Sequence, residues 1–194
     1  MGIPTLIKTL TASDSASLAF VDGASDVVFD STYDEYMFVF TDIGPATDNA
    51  TLGFQVNATD DAGGGYDTSV ITSTFFDANH AEDGSAAALG INTDSVVGGS
   101  GANSLTQDAY PQSLLRNTGN AADESGAGIL HIFNPSSTTY VKHFYGRFSN
   151  YQRENYAQQY FMAGYINDTT AIDEIQFKMT SGNFDGVIQL FGIS

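Results

Sequence analysis

The sequence predicts an all-β protein, an antiparallel β-sandwich of jelly-roll-like form, and three observations carry that prediction. Short apolar segments alternate in and out with a period of two residues, the signature of a half-buried strand. Clusters of Gly, Pro, Asn and Asp separate them, each supplying the special backbone angles or local hydrogen bonds of a turn. Long amphipathic helices are missing from the pattern, so a parallel sheet would have no crossovers.

The segments follow in order. EYMFVFTDI, starting at Glu35, is apolar on both faces, which predicts either a central strand covered on each side or a subunit interface. LGFQVNA puts Leu52, Phe54, Val56 and Ala58 on one face and Gly53, Gln55 and Asn57 on the other. TSVITSTFF, GILHIF, TYVKHFYGRF and YFMAGYI continue the series. In EIQFKM, Ile175, Phe177 and Met179 face in while Glu174, Gln176 and Lys178 face out, and VIQLFGI is the last strand. Leu130 and Ile132 of GILHIF join this expected core. NPSST reads as a five-residue hairpin loop between GILHIF and TYVKHFYGRF, and SGNFDG reads as a second one joining EIQFKM to VIQLFGI.

Residues 80–128 break the rhythm. This Gly-, Ala-, Ser- and Asn-rich stretch has only short apolar clusters, AAALGI and SLL among them. It reads either as a disordered linker or as a long excursion pinned to the body by those clusters. Long ordered insertions in compact domains serve binding or assembly, which makes it the favoured place for partner contacts.

At 194 residues the whole chain, 1–194, is expected to form one β-sandwich domain, burying roughly 70% of its extended-chain surface. Only 15% of residues are charged, against about 25% in ordinary globular chains, so the polar surface is built from Ser, Thr, Asn, Gln and Gly. That surface suits packing against other subunits. The net charge of -17, with no basic residue between Lys8 and Arg116, repels phosphate backbones and argues against nucleic acid as a partner. Without cysteine there is no disulfide framework, thiolate metal site or cysteine nucleophile. No segment has the apolar run of a signal peptide or of a membrane-spanning helix.

Candidate chemistry is sparse. ATDDAGGGYDTSV, residues 58–70, gathers Asp60, Asp61 and Asp67 around three glycines. An EF-hand loop starting at Asp60 needs Asp or Asn at its third and fifth positions and a closing glutamate; here stand Ala62, Gly64 and Ile71. A glycine turn is the favoured reading, with an irregular cation site as the weaker one. His131 and His143 share one face if the NPSST hairpin pairs residues whose numbers sum to 274, a geometry two metal ligands need. No third ligand lies nearby in sequence, and His80, beside Glu82 and Asp83, falls in a loop. No nucleophile elbow, phosphate loop or dinucleotide fingerprint is present. The expectation is a non-enzymatic chain with no catalytic residue, no cofactor and no metal. Between residues 145 and 165, Tyr151, Tyr156 and Tyr160 are candidates for stacking on sugar rings, with Arg147 or Arg153 as hydrogen-bond donors. The competing reading has these aromatics filling the core.

The phrases LHIFNPSSTTYVKHF and IDEIQFKMTSGNFDGVIQLFGI resemble a group of small virion proteins of tailed bacteriophages common in aquatic hosts, and the resemblance covers residues 15 to 194. It is weakest through residues 80–122. It implies a non-enzymatic virion structural protein, a capsid decoration or head-fibre component on the particle surface. The alternative it leaves open is a tail-associated receptor-binding module contacting host surface glycan. It further implies major capsid or tail proteins as partners and a homo-oligomer, a trimer preferred. Localisation would be the virion, assembled in the host cytoplasm, with neither nucleic acid nor membrane bound.

Overall fold

The computed structural model describes residues 2–60, 66–91, 104–106 and 111–194. Thirteen strands follow one another: β1 (Thr5–Ser15), β2 (Ser17–Val21), β3 (Glu35–Pro45), β4 (Ala50–Ala58), β5 (Val70–Ala81), β6 (Ala87–Ile91), β7 (Ser104–Thr106), β8 (Gln112–Thr118), β9 (Gly126–Phe133), β10 (Lys142–Gln152), β11 (Tyr156–Ile166), β12 (Ile172–Met179) and β13 (Phe184–Ile193). The fold is all-β among the described residues, and every pairing in it is antiparallel.

The strands run β1-β13-β3-β9-β10-β8-β4-β12-β2 in one large sheet. Because β2 follows β1 after a single residue, this path bends back towards its own start and is nearly barrel-shaped. Its weak seam lies between β10 and β8, which share the pair Gln152–Thr118. There the Asn150 amide donates to the Arg116 carbonyl and to the Thr118 hydroxyl, both at 2.8 Å, and so reinforces the joint. From β10 a wing leaves the ring: β11 pairs β10, β5 pairs β11, and β6 and β7 both pair β5.

Alternation places the core as the sequence predicts. Leu52, Phe54, Val56, Leu130, Ile132, Ile175, Phe177 and Met179 are all buried. Phe177 of β12 stands at the centre, edge-on to Phe20 of β2 and to Phe38 and Phe40 of β3, with centroids 5.0 to 6.2 Å apart. Edge-to-face rings of this kind add about 0.5–1.5 kcal/mol per pair beyond area burial. Phe40–Phe148 and Phe54–Phe144 extend the cluster to β10.

Turn chemistry explains much of the polar composition. The non-glycine residues with positive φ are Asp14, Ser25, Asp26, Asp42, Asn49, Asn117, Asn134 and Asn155, mostly the residue types that tolerate the left-handed region. Many carboxylates bond the backbone two residues on, as Asp30 does Thr32, Asp83 does Ser85 and Asp168 does Thr170.

Three expectations are corrected, and two strands are added. SGNFDG is no hairpin: β12 pairs β2 and β4, whereas β13 pairs β1 and β3, so the segment carries the chain between two parts of the sheet. Backbone bonds from Thr180 to Thr51 and from Ala46 to Asn183 guide that crossing. The β9–β10 connection spans 134–141 and is longer than NPSST, because Asn134 bonds back to Asp34 and Ser137 Oγ gathers the amides of Thr139 and Tyr140. Residues 80–128 are not one excursion. SLL belongs to β8, whose Leu114 and Leu115 lie in the core, while AAALGI belongs to β6, which is exposed along its length. Residues 92–103 and 107–110 of that stretch lie outside the described residues. The N-terminal strands β1 and β2 escaped the sequence reading, since TLIKTLTASDS carries a broken alternation and two register shifts against β13.

Candidate functional site

One face of the sheet turns outward across eight strands. Register places Leu6, Phe191, Met37, His131, Tyr145, Ala163 and Thr74 in one row from β1 to β5. The next row runs Gln189, Val39, Ile129, Arg147, Phe161, Phe76 and Ile91. Tyr36, Phe38 and Phe40 of the doubly apolar β3 point into the core, and Met37 and Val39 emerge on this outer face half-buried. Leu6, Phe76, Ile91, Ile129 and Tyr145 are exposed. The two rows hold no acidic residue in a chain that has 23.

Stacking organises the rows. Tyr145 lies parallel to His131 at 4.4 Å and near Phe133 at 5.7 Å. Phe76 and Phe161 stack at 4.9 Å, and the Arg147 guanidinium lies 5.2 Å from the Phe161 centroid. With the Gln159 amide oriented to suit, its oxygen accepts from Arg147 Nε and Nη2, both at 2.6 Å. Rings stacked across neighbouring strands cover one another's faces and turn edges to solvent. Such a surface suits close packing against another protein better than stacking on sugars, which takes a free ring face.

The histidines fall on the predicted face but in another register. His131 pairs Tyr145, so residue numbers sum to 276, and His143 pairs Tyr165. The longer loop accounts for the slip of two, which preserves the face. His131 Nδ1 contacts the Glu35 carboxylate rather than His143. No group of three metal-ligating side chains occurs among the described residues.

The tyrosines divide. Tyr160 is wholly buried, its hydroxyl donating to the Arg116 carbonyl at 2.7 Å, so it is a core residue with no free face. Tyr151 and Tyr156 flank clefts at the tip of the β10–β11 hairpin. Tyr151 donates to Glu82 at 3.0 Å, whereas Arg153 is paired with neighbouring Glu154. One open groove of about 620 Å³ has a small-residue floor that includes Ala78, Ala127 and Ser149. On the opposite face of the same strands lies a smaller cleft of about 330 Å³ between β8 and the wing, lined by Asn79, Asn117, Gln152, Gln158 and Tyr156.

The aspartate-rich loop closes on a lysine. Lys142 is fully buried, and its ammonium donates to the backbone carbonyls of Asp168, at 3.2 Å, and Thr170. Burial pulls its pKa down, while the charges of Asp168, Asp60 and Asp67 oppose that. Asp67 is buried and hydrogen-bonds the Asp168 carboxyl. Burial first, and that bond second, push its pKa up to about 6. Burial also pushes Asp168 up, but bonds from Asp67 and Thr170 and the Lys142 charge outweigh it and hold Asp168 below the ordinary carboxylate range. Asp60 accepts from the Thr170 hydroxyl at 3.0 Å. The described ends of this segment, Asp60 and Asp67, thus lie near an internal ammonium, that of Lys142, while the glycine-turn reading falls outside the described residues. Asp61 and the three glycines, residues 63–65, lie outside the described residues.

The chain matches no protein-family model and no curated protein.

Proposed function

We propose that the chain is a non-enzymatic structural component of a bacteriophage virion, most simply a capsid decoration or head-fibre protein that assembles through the outer face of its large sheet. The observation that carries the assembly part is the pair of acid-free apolar rows from Leu6 to Thr74 and from Gln189 to Ile91. At about 4.8 Å per strand, eight strands span roughly 34 Å; two rows at about 3.4 Å per residue cover a depth of about 14 Å, so the rows alone give roughly 480 Å², more than half of one partner's share of a standard interface. A standard protein interface takes about 800 Å² from each partner. Copies carrying -17 repel one another over most of their surface, and this face opposes few carboxylates, its Glu35 being held against His131. The partner class is further copies of the chain, a trimer preferred, together with a major capsid or tail protein; the virion setting and assembly in the host cytoplasm rest on the resemblance.

The finer fold belongs to the same reading. The walls β1-β13-β3-β9-β10 and β8-β4-β12-β2 facing one another across the Phe177 cluster support a jelly-roll-like sandwich. A second function, a tail-associated module contacting host glycan, is supported by Tyr151 and Tyr156 beside the hairpin-tip clefts. Cryo-electron microscopy of intact particles separates the two readings. Density on the head at many symmetric positions is expected; density at the tail tip alone, or none on any particle, overturns the first.

A further inference from the structure

The cleft between β8 and the wing gathers four carboxamides from four strands: Asn79 of β5, Asn117 of β8, Gln152 at the end of β10 and Gln158 of β11. Register sets Asn79 opposite Gln158, and Asn117 projects from a left-handed backbone at φ 52. Most of their hydrogen-bonding capacity is unused. Gln152 accepts at its oxygen from the Glu154 amide at 2.7 Å, which leaves its NH₂ without a partner among the described residues. Gln158 gives its NH₂ to Asp77 at 2.9 Å, and its buried Oε1 has no partner. The side chains of Asn79 and Asn117 are likewise unpaired among the described residues. Of these groups Gln158 Oε1 is the one closed to solvent without a partner among the described residues, and leaving it unpaired costs about 1–3 kcal/mol, while the amides of the half-buried Asn79 and Asn117 stand open to a ligand.

Charge narrows the class of ligand. Among the described lining residues Glu154 alone is ionic and is already paired with Arg153 at 3.0 Å, and Asp77 behind Gln158 adds only negative charge. Phosphates and other anions find no cation here, against the field of a -17 chain. A carboxamide offers two donors and an acceptor in one plane, which matches adjacent hydroxyls that donate and accept in turn. Tyr156 supplies an aromatic wall, and the small side chains of Ala86, Ala87 and Ala88 leave space opposite. A volume of about 330 Å³ sits at the small end of the range for ligand pockets, the size of one or two sugar rings.

We infer that this carboxamide cleft is a binding site for a neutral saccharide. The inference refines the glycan-contact reading and is independent of assembly through the outer face, which lies on the other side of the wing.

The test is a titration of the ¹⁵N-labelled full chain with glucose, galactose, mannose, N-acetylglucosamine and their disaccharides, followed by amide cross-peaks. Saturable shifts at the side-chain NH₂ groups of Asn79 and Gln158 are expected for at least one sugar. Gln158→Met keeps the shape of the side chain and should weaken that binding about tenfold, the loss of one buried hydrogen-bonding group. Ile129→Glu, on the outer face, should leave it unchanged, so a failure of assembly and a failure of this site are read separately. No saturable shift with any of these sugars in the folded protein overturns the inference. So does binding insensitive to both Gln158→Met and Asn79→Ala, or a response of the same cross-peaks to Ca²⁺ alone.

Discussion

Asp67 and Asp168 interact beside the buried ammonium of Lys142, and their pKa values move apart, Asp67 up and Asp168 down, as a proton shared between them requires. Asp67 Oδ2 has no other donor facing it, so a proton on Asp67 is what makes the contact a hydrogen bond. The arrangement ties the start of β5 to the turn after β11.

This pair predicts a stability that falls as pH rises. Asp67 titrates near 6 in the folded chain and near 3.8 unfolded. Between those values the folded state keeps a proton that the unfolded state has lost, so stability contributed by Asp67 is full below 3.8 and is lost as pH climbs through 6. Asp168 acts in the opposite sense: held low, its contribution is present above the ordinary range and disappears in strong acid. Asp67→Asn retains a neutral donor towards Asp168. Thermal melting at pH 5 and pH 7.5 should show the wild type losing stability across that interval and the variant losing much less. Equal slopes in both proteins would sink the shared-proton account.

Lys142→Met tests the other half of the latch. Methionine fills similar space but removes a cation that satisfies two carbonyls and offsets three nearby carboxylates. Breaking one side of a buried charge cluster costs about 3 kcal/mol or more. Urea unfolding should show a lower midpoint with the slope unchanged. A midpoint equal to the wild type's would mean that the ammonium is not what holds the two loops.

Strand faces were mostly legible, while of the two expected hairpins the β9–β10 pair is present with its register slipped by two and the β12–β13 pair is not. The period-two alternation of Ile175 to Met179 reports burial directly, since each side chain must face in or out whichever strand lies alongside, but Leu52 to Ala58 is covered on both faces, with Gly53 and Gln55 of its expected outer face buried as well. Pairing depends on where the chain goes after each turn. SGNFDG has a composition compatible with a hairpin, and only the bonds of Thr180 to Thr51 and Ala46 to Asn183 send it across instead. Likewise His131 and His143 share their predicted face, while a loop lengthened by Asn134 and Ser137 changes their partners. The latch and the carboxamide cleft were harder still. Lys142 lies 75 positions from Asp67, and Asn79 lies 79 from Gln158, so no local spacing links them. The one readable sign was a lysine in the inward register of an otherwise apolar alternation, Lys142, Phe144, Gly146 and Phe148.

Phe177→Ala probes the centre of the core. Its ring meets Phe20, Phe38 and Phe40 from β2 and β3, so truncation opens a cavity shared by several strands. A loss of about 4 kcal/mol is expected, the middle of the range for buried Phe→Ala changes. Phe76→Ala, on the exposed stacked pair with Phe161, should cost well under half as much. Chemical denaturation of both variants checks the contrast, and similar losses would contradict the assignment of inner and outer faces.

Ile129→Glu addresses assembly without disturbing the monomer. Ile129 is exposed on the outer face, flanked across the strands by Val39 and Arg147. A glutamate there finds the Arg147 guanidinium directly opposite, a cross-strand pair worth roughly 0.2–1 kcal/mol, so the fold should hold. Between copies the effect reverses. Each subunit would bring a carboxylate into the acid-free rows, and burying a charged pair between like-charged chains carries a desolvation cost. Sedimentation at micromolar concentration should give the wild type as a species larger than 20.6 kDa and the variant as a monomer with the same circular dichroism spectrum. A wild type that sediments only at 20.6 kDa would remove unaided self-assembly through this face and leave assembly on the particle as the remaining form of the proposal. A variant that still assembles would move the contact to another surface altogether.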